Sequence, residues 1–285
     1  MKSAAWLFLF CLLGSSTAFA CATGEERCVA PDQFQLSVAL GAGQRSNPLH
    51  DGDSFPMLIL PDFSYYTDSW FIDNGTLGYS LRQNEQFAAS IVVRLNAEKG
   101  YFQRWFAGNL LTMNTAGTQL PPEVDVGTEK SLAAVSISHV KKRPTAVDAG
   151  IQFDWFAEQW QGRLNLWQDL SSKYQGQNAS LSWTKIWSLG GGHFDLNATL
   201  YWKSARLIDT YYGVDEDDLY YLQRYQGRAS WQPEVRFGWQ RALNQRWSLL
   251  TFFRYLHLDD AMTDSPLVRD DSVQTWFVGV GYRFF

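Results

Sequence analysis

The stretch TWFVGVGYRFF, residues 275–285, sets Trp276, Val278, Val280, Tyr282 and Phe284 at every second position. Between them stand Gly279, Gly281 and Arg283. Successive side chains of a strand point to opposite faces, so this segment is a ribbon with one apolar side and one small or charged side. Chain termini in water are normally polar and frayed. An aromatic ribbon of this kind instead fits a strand whose apolar face meets hydrocarbon.

The same period runs through the chain. In VDAGIQFDWF, Val147, Ala149, Ile151, Phe153 and Trp155 alternate with Asp148, Gly150, Gln152 and Asp154. In HFDLNATLYW, Phe194, Leu196, Ala198, Leu200 and Trp202 alternate with polar residues, and in ASWQPEVRFGWQ so do Trp231, Val235, Phe237 and Trp239. A soluble sandwich shows this alternation too. Three details favour a membrane. The segments run about ten residues, enough to cross a bilayer at a tilt. Their apolar faces end in Trp, Tyr or Phe, as an interfacial girdle requires. The signal peptide over 1–20 sends the chain where such barrels live, and in hydrocarbon only a closed sheet pairs every strand backbone group. The fold class is therefore all-β, a transmembrane antiparallel β-barrel. An apolar last strand ending in an aromatic resembles the C-terminal signature of bacterial outer-membrane proteins, which implies that the barrel-assembly machinery reads Tyr282, Phe284 and Phe285.

Composition agrees. Of 285 residues, 16% are aromatic, with 13 Trp and 13 Tyr, and the net charge of −5 contains no long block of one sign. That balance gives no footprint for a nucleic-acid partner. Lys2, the apolar run 4–14 and Ala18-Phe19-Ala20 read as a signal peptide over 1–20, cleaved after Ala20. The expected organisation is 1–20 signal peptide, 21–32 periplasmic segment and 33–285 barrel. Cys21 and Cys28 then remain, to pair as a disulfide in an oxidising compartment. A lipid-modified Cys21 is the alternative.

Working back from a periplasmic C-terminus, with short turns and long loops alternating, strands are expected at 33–43, 55–66, 70–82, 86–97, 146–157, 160–170, 176–188, 192–203, 226–241, 245–257 and 272–285. Both 86–97 and 146–157 then descend, so parity demands a strand between them. Lys130 to Val140 is the candidate, joined by Lys141-Lys142-Arg143-Pro144. The count is about twelve strands, with ten as the alternative. It places 98–129 on the periplasmic side, as an inward plug or a reach toward a partner.

Two stretches carry a family likeness. YWKSARLIDTYYGVDEDD, residues 201–218, includes Tyr211-Tyr212-Gly213-Val214; residues 247–285 include Asp264-Ser265-Pro266-Leu267-Val268. Together with DSWFIDNGTLGYSL at 68–81, they resemble the MipA/OmpV family of MltA-interacting outer-membrane proteins. The resemblance implies an outer-membrane barrel in contact with lipid and lipopolysaccharide. It implies, for one member, a scaffold bridging a lytic transglycosylase and a peptidoglycan synthase. Other members are associated with osmotic response, adhesion or antibiotic susceptibility.

Signs of catalysis are weak. His50, His139, His193 and His257 are scattered, and no G-x-S-x-G signature accompanies them. Acidic runs at Asp215–Asp218 and around Asp259, Asp260, Asp264, Asp270 and Asp271 read as solvated loop charge, since their spacing does not match an EF-hand. No catalytic residue, metal or cofactor is expected. The expected function is a scaffold for peptidoglycan-remodelling enzymes that presents 98–129 to them, with a small-solute channel as the alternative. Inward charges, among them Asp148, Asp154, Arg163, Asp195, Lys203, Glu234, Arg236 and Arg254, either line a pore or pair across the lumen and close it.

Overall fold

The computed structural model describes residues 32–103, 140–216, 218 and 223–284. The expected signal peptide over 1–20, Cys21, Cys28, His139 and Phe285 lie outside the described residues. Thirteen strands among those described form one antiparallel sheet. They are β1 (Phe34–Arg45), β2 (Phe55–Pro56), β3 (Ile59–Tyr66), β4 (Trp70–Asp73), β5 (Thr76–Gln83), β6 (Phe87–Leu95), β7 (Val147–Phe156), β8 (Trp160–Asp169), β9 (Gln177–Leu189), β10 (Gly192–Lys203), β11 (Ser230–Ala242), β12 (Trp247–His257) and β13 (Ser272–Arg283). β2 pairs only with the end of β1 and leads into β3, so the two make one stave. β13 pairs back onto β1 from Ser37↔Arg283 to Arg45↔Thr275 and closes a twelve-stave barrel. Closure leaves no lipid-facing row of unpaired peptide groups.

The alternation acquires its physical meaning here. On β13, Trp276, Val278 and Phe284 are exposed on the outer face, while Phe277 is fully buried inside. Phe277 fits because glycines face it: a Cβ on Gly41 would come within 2.1 Å of the Val278 carbonyl oxygen and 2.7 Å of the Phe277 ring. Outward aromatics gather toward both rims. The Tyr282 ring lies 4.8 Å from Trp247, tilted, and 4.9 Å from Phe284, edge-on, and Trp202 meets Trp231 at 6.5 Å toward the other end.

Twelve staves match the expected number, but two of them are differently placed. Residues 70–82 are a hairpin, β4 and β5, turning at Asn74 (φ 47°) and Gly75 (φ 84°). Asn-Gly with two positive φ values is the two-residue turn whose twist suits paired strands. The expected strand at 130–140 lies outside the described residues apart from Val140, and the two strands it was expected to separate are neighbours. β6 pairs directly with β7 from Phe87↔Trp155 to Leu95↔Val147.

This puts the described ends of the intervening segment, 96–103 and 140–146, at the other end of the barrel. Residues 96–146 leave from the end that also carries 46–54, 170–176, 204–229 and 258–271. The opposite end carries only the short turns 67–69, 84–86, 157–159, 190–191 and 243–246. Long loops mark the external side of such barrels and short turns the periplasmic side. The placement of 98–129 below the barrel is thus corrected: both its described flanks stand at the external end.

Candidate functional site

The long loops fold over the external mouth and build a second hydrophobic core there. Its scaffold is α1 (Lys99–Phe102), α2 (Ala205–Tyr212) and α3 (Asp260–Thr263). α2 buries Leu207, Ile208, Tyr211 and Tyr212, which the near-helical spacing of these residues sets on one side. They pack with Leu49, Leu258, Met262 and Leu267, all at most 1% exposed. The sequence stretches that carry the family likeness meet in this core. Ser265 Oγ donates to the Tyr212 carbonyl oxygen at 2.6 Å, and Val268 bridges to Leu49. Gly213 lets the chain turn off α2, because a Cβ there would lie 2.3 Å from the Asp209 carbonyl oxygen. Val214 pairs with Tyr225, whose hydroxyl donates to the Ala261 carbonyl oxygen at 2.7 Å. Pro266 is half-buried beside them, and Asp264 pairs with Arg228 on the rim.

A polar layer ties this cap to the wall. Glu98 receives Lys203 Nζ at 2.6 Å and the Tyr212 hydroxyl at 2.6 Å. Burial raises the Tyr212 hydroxyl well above its usual range, with the Glu98 carboxylate adding to it, so it remains a donor. Asp148 accepts from the Tyr174 hydroxyl at 2.6 Å and from Asn96 at 2.9 Å. Arg143 donates to the Gly213 carbonyl oxygen at 2.8 Å; burial lowers its pKa while Asp218 counteracts the shift. Residues 141–144, expected as a simple connection between strands, thus belong to the cap.

Several of the acidic loop residues have protein partners. Asp259 accepts from Ser230 Oγ and the Trp231 amide, both at 2.6 Å, Asp270 pairs with Arg269, and Asp215 with Lys141 at 3.8 Å. The inward charges pair along the lumen: Arg163 with Asp154, Arg236 with Asp195, and Arg254 with Glu234. His193 lies 2.9 Å from Ser188, its cross-strand neighbour, and the His50 amide donates to the Leu267 carbonyl oxygen.

Below these pairs the barrel opens toward the short turns. A cavity of about 580 Å³ is lined by Asp62, Asp195, Arg236 and Phe252 within and by Asn244 to Arg246 at its mouth. Sequence reading did not find this vestibule or the cap, because both depend on which inward residues share a level. Tyr282 and Phe284 sit on the outer face beside that mouth.

The family model for MltA-interacting protein MipA matches residues 36–284. A putative outer membrane protein, YiaT, of Escherichia coli O157:H7 is 24% identical over 265 residues, covering 88% of this chain and 91% of that protein. The MltA-interacting protein of Escherichia coli K12 is 26% identical over 148 residues, covering 51% of this chain and 60% of that protein. Among solved structures, the NanC porin aligns with a TM-score of 0.41 at 13% identity, covering 87% of this chain and 98% of that one.

Proposed function

Because this chain belongs to the MipA family of outer-membrane barrels, we propose that it is a non-enzymatic scaffold that docks peptidoglycan-remodelling enzymes at its periplasmic end. The partners in this reading are a lytic transglycosylase, which the name of the K12 relative supports, and a peptidoglycan synthase, which the family resemblance alone suggests. The observation that carries it is the difference between the two mouths. Among the described residues the external mouth is filled by packed side chains, whereas the periplasmic mouth is a vestibule rimmed by short turns. A partner below the membrane meets that rim, and residues 98–129 take no part. Crosslinking intact envelopes and isolating the barrel tests this. Recovery of a cell-wall enzyme that falls when turns 157–159 and 243–246 are exchanged for Gly-Ser supports it, and recovery of none refutes it.

The alternative is a small-solute channel serving envelope or osmotic response, which draws on the size of the vestibule. Planar-bilayer recording separates the two. Discrete conductance steps favour the channel, and a silent barrel favours the scaffold.

A further inference from the structure

The barrel wall sorts its charges by sign. Every carboxylate on a strand lies inside, from Asp62 and Asp73, which line internal cavities, to Asp148 and Glu234, which are buried. Among the strand residues the outer face carries formal charge only at Arg82, Lys185 and Arg241. Arg82 pairs with the outward Ala89, Lys185 follows Trp183 by two residues, and Arg241 follows Trp239 by two. All three are cations. All stand toward the short turns, where Trp160, Trp247 and Tyr282 mark the interface.

Lys185 is set among tryptophans. Its cross-strand neighbour is Trp160, and its ammonium lies 4.8 Å from the Trp160 ring centre. Trp183 meets Trp160 edge-on at 5.6 Å and Trp155 at 6.4 Å. The Trp155 ring lies over Gly162, where a Cβ would come within 1.8 Å of it. Across β9, β10 and β11 the register aligns Trp187, Phe194 and Trp239, with Phe194 5.9 Å from Trp187 and 6.4 Å from Trp239. Lys185 and Arg241 flank that row, two residues before Trp187 and two residues after Trp239. Neither cation forms an ion pair with a described residue, Glu158 of the adjoining turn included.

A lysine or arginine on a lipid-facing wall keeps its charge by reaching the headgroup layer. The counter-charge available there is lipid phosphate, which would repel a carboxylate in the same place. Two cations with no carboxylate beside them favour a lipid of net negative charge over a zwitterionic one, which brings its own cation. We propose that the wall from β8 to β11 binds anionic phospholipid of the inner leaflet, with phosphate at Lys185 and at Arg241. The upper acyl chains lie on the Trp187, Phe194 and Trp239 row between them.

The test is native mass spectrometry of the purified full chain in non-ionic detergent, with phosphatidylglycerol and phosphatidylcholine of matched acyl chains supplied together in equal amounts. Phosphatidylglycerol adducts should dominate and saturate at low occupancy. A basic side chain beside an anionic lipid surface contributes about fivefold in affinity. Lys185→Gln and Arg241→Gln should therefore each lower the preference about fivefold, and the double variant about twenty-five-fold. Lys185→Arg should keep the preference, and Lys173→Gln, exposed on an external loop, should leave it unchanged. Equal adducts of the two lipids on the unsubstituted chain overturn the proposal, whether or not the variants fold, and would leave these cations to an acidic protein surface. A preference that survives the double substitution, or that Lys173→Gln lowers as much as Lys185→Gln does, overturns it too.

Discussion

Lys203→Met keeps most of the side-chain stem and removes the ammonium that Glu98 receives at 2.6 Å. Both residues are under 10% exposed, so solvent does little to screen the carboxylate left behind. Stranding one member of a buried pair costs about 3–5 kcal/mol. That cost falls on the cap, because Glu98 joins the end of β10 to the Tyr212 hydroxyl of α2. At roughly 1.4 kcal/mol per decade, cap opening should become about a hundred- to several-thousand-fold more frequent. Amide hydrogen exchange reads this at Ile208 and Gly213, whose N–H groups are held by the Ser204 and Asp209 carbonyl oxygens. Amides in the middle of β10, such as Asn197, should keep their protection. Replacing Glu98 by Gln in the same chain removes the stranded charge and should restore most of the protection. Unchanged exchange in the single variant refutes the reasoning, and so does a double variant as labile as the single one.

Three further outcomes follow from the same structure. Gly75→Val forces a branched side chain to φ 84° in the β4–β5 turn and should cost about 1–2 kcal/mol, seen as a lower urea midpoint for unfolding from micelles. Val278→Arg, at the middle of β13 with the side chain 57% exposed on the outer face, should destabilise by about 2–4 kcal/mol in a bilayer. The same change at Leu243, in a periplasmic turn, should cost little. Asp270→Asn breaks an ion pair with Arg269 that is about half exposed, and should change stability by under about 0.5 kcal/mol in the same unfolding assay.

The wall was legible in the sequence because hydrocarbon imposes one rule on every stave. The outward residues of β7, β10, β11 and β13 are the ones the alternation marks. The error at 70–82 had a visible cause. Trp70 and Ile72 point outward on even positions, whereas Leu77 and Tyr79 point outward on odd ones. The phase slips at Asn74-Gly75, which is what a two-residue turn does. Reading through that slip dropped one stave, and parity then demanded another at 130–140. That inversion set the start of 98–129 at the short-turn end, whereas the described residues 98–103 stand at the end of the long loops. The cap was illegible for a different reason. Leu49, Tyr101, Tyr212 and Leu267 lie far apart in sequence and meet only because separate loops leave the barrel at one end. Local periodicity holds no record of such contacts. The likeness at Tyr211–Val214 and Asp264–Val268 marked residues of that core without saying that they touch.

Loop lengths orient the barrel with its capped end outward and its vestibule toward the periplasm. Single cysteines at Arg206, exposed on α2, and Gln245, exposed in the β11–β12 turn, test it in intact cells of a background with Cys21 and Cys28 changed to Ser. A polymer-linked maleimide too large to cross the outer membrane should label Arg206→Cys at once, and Gln245→Cys only after the membrane is permeabilised. Labelling in the reverse order would mean that the barrel stands the other way up.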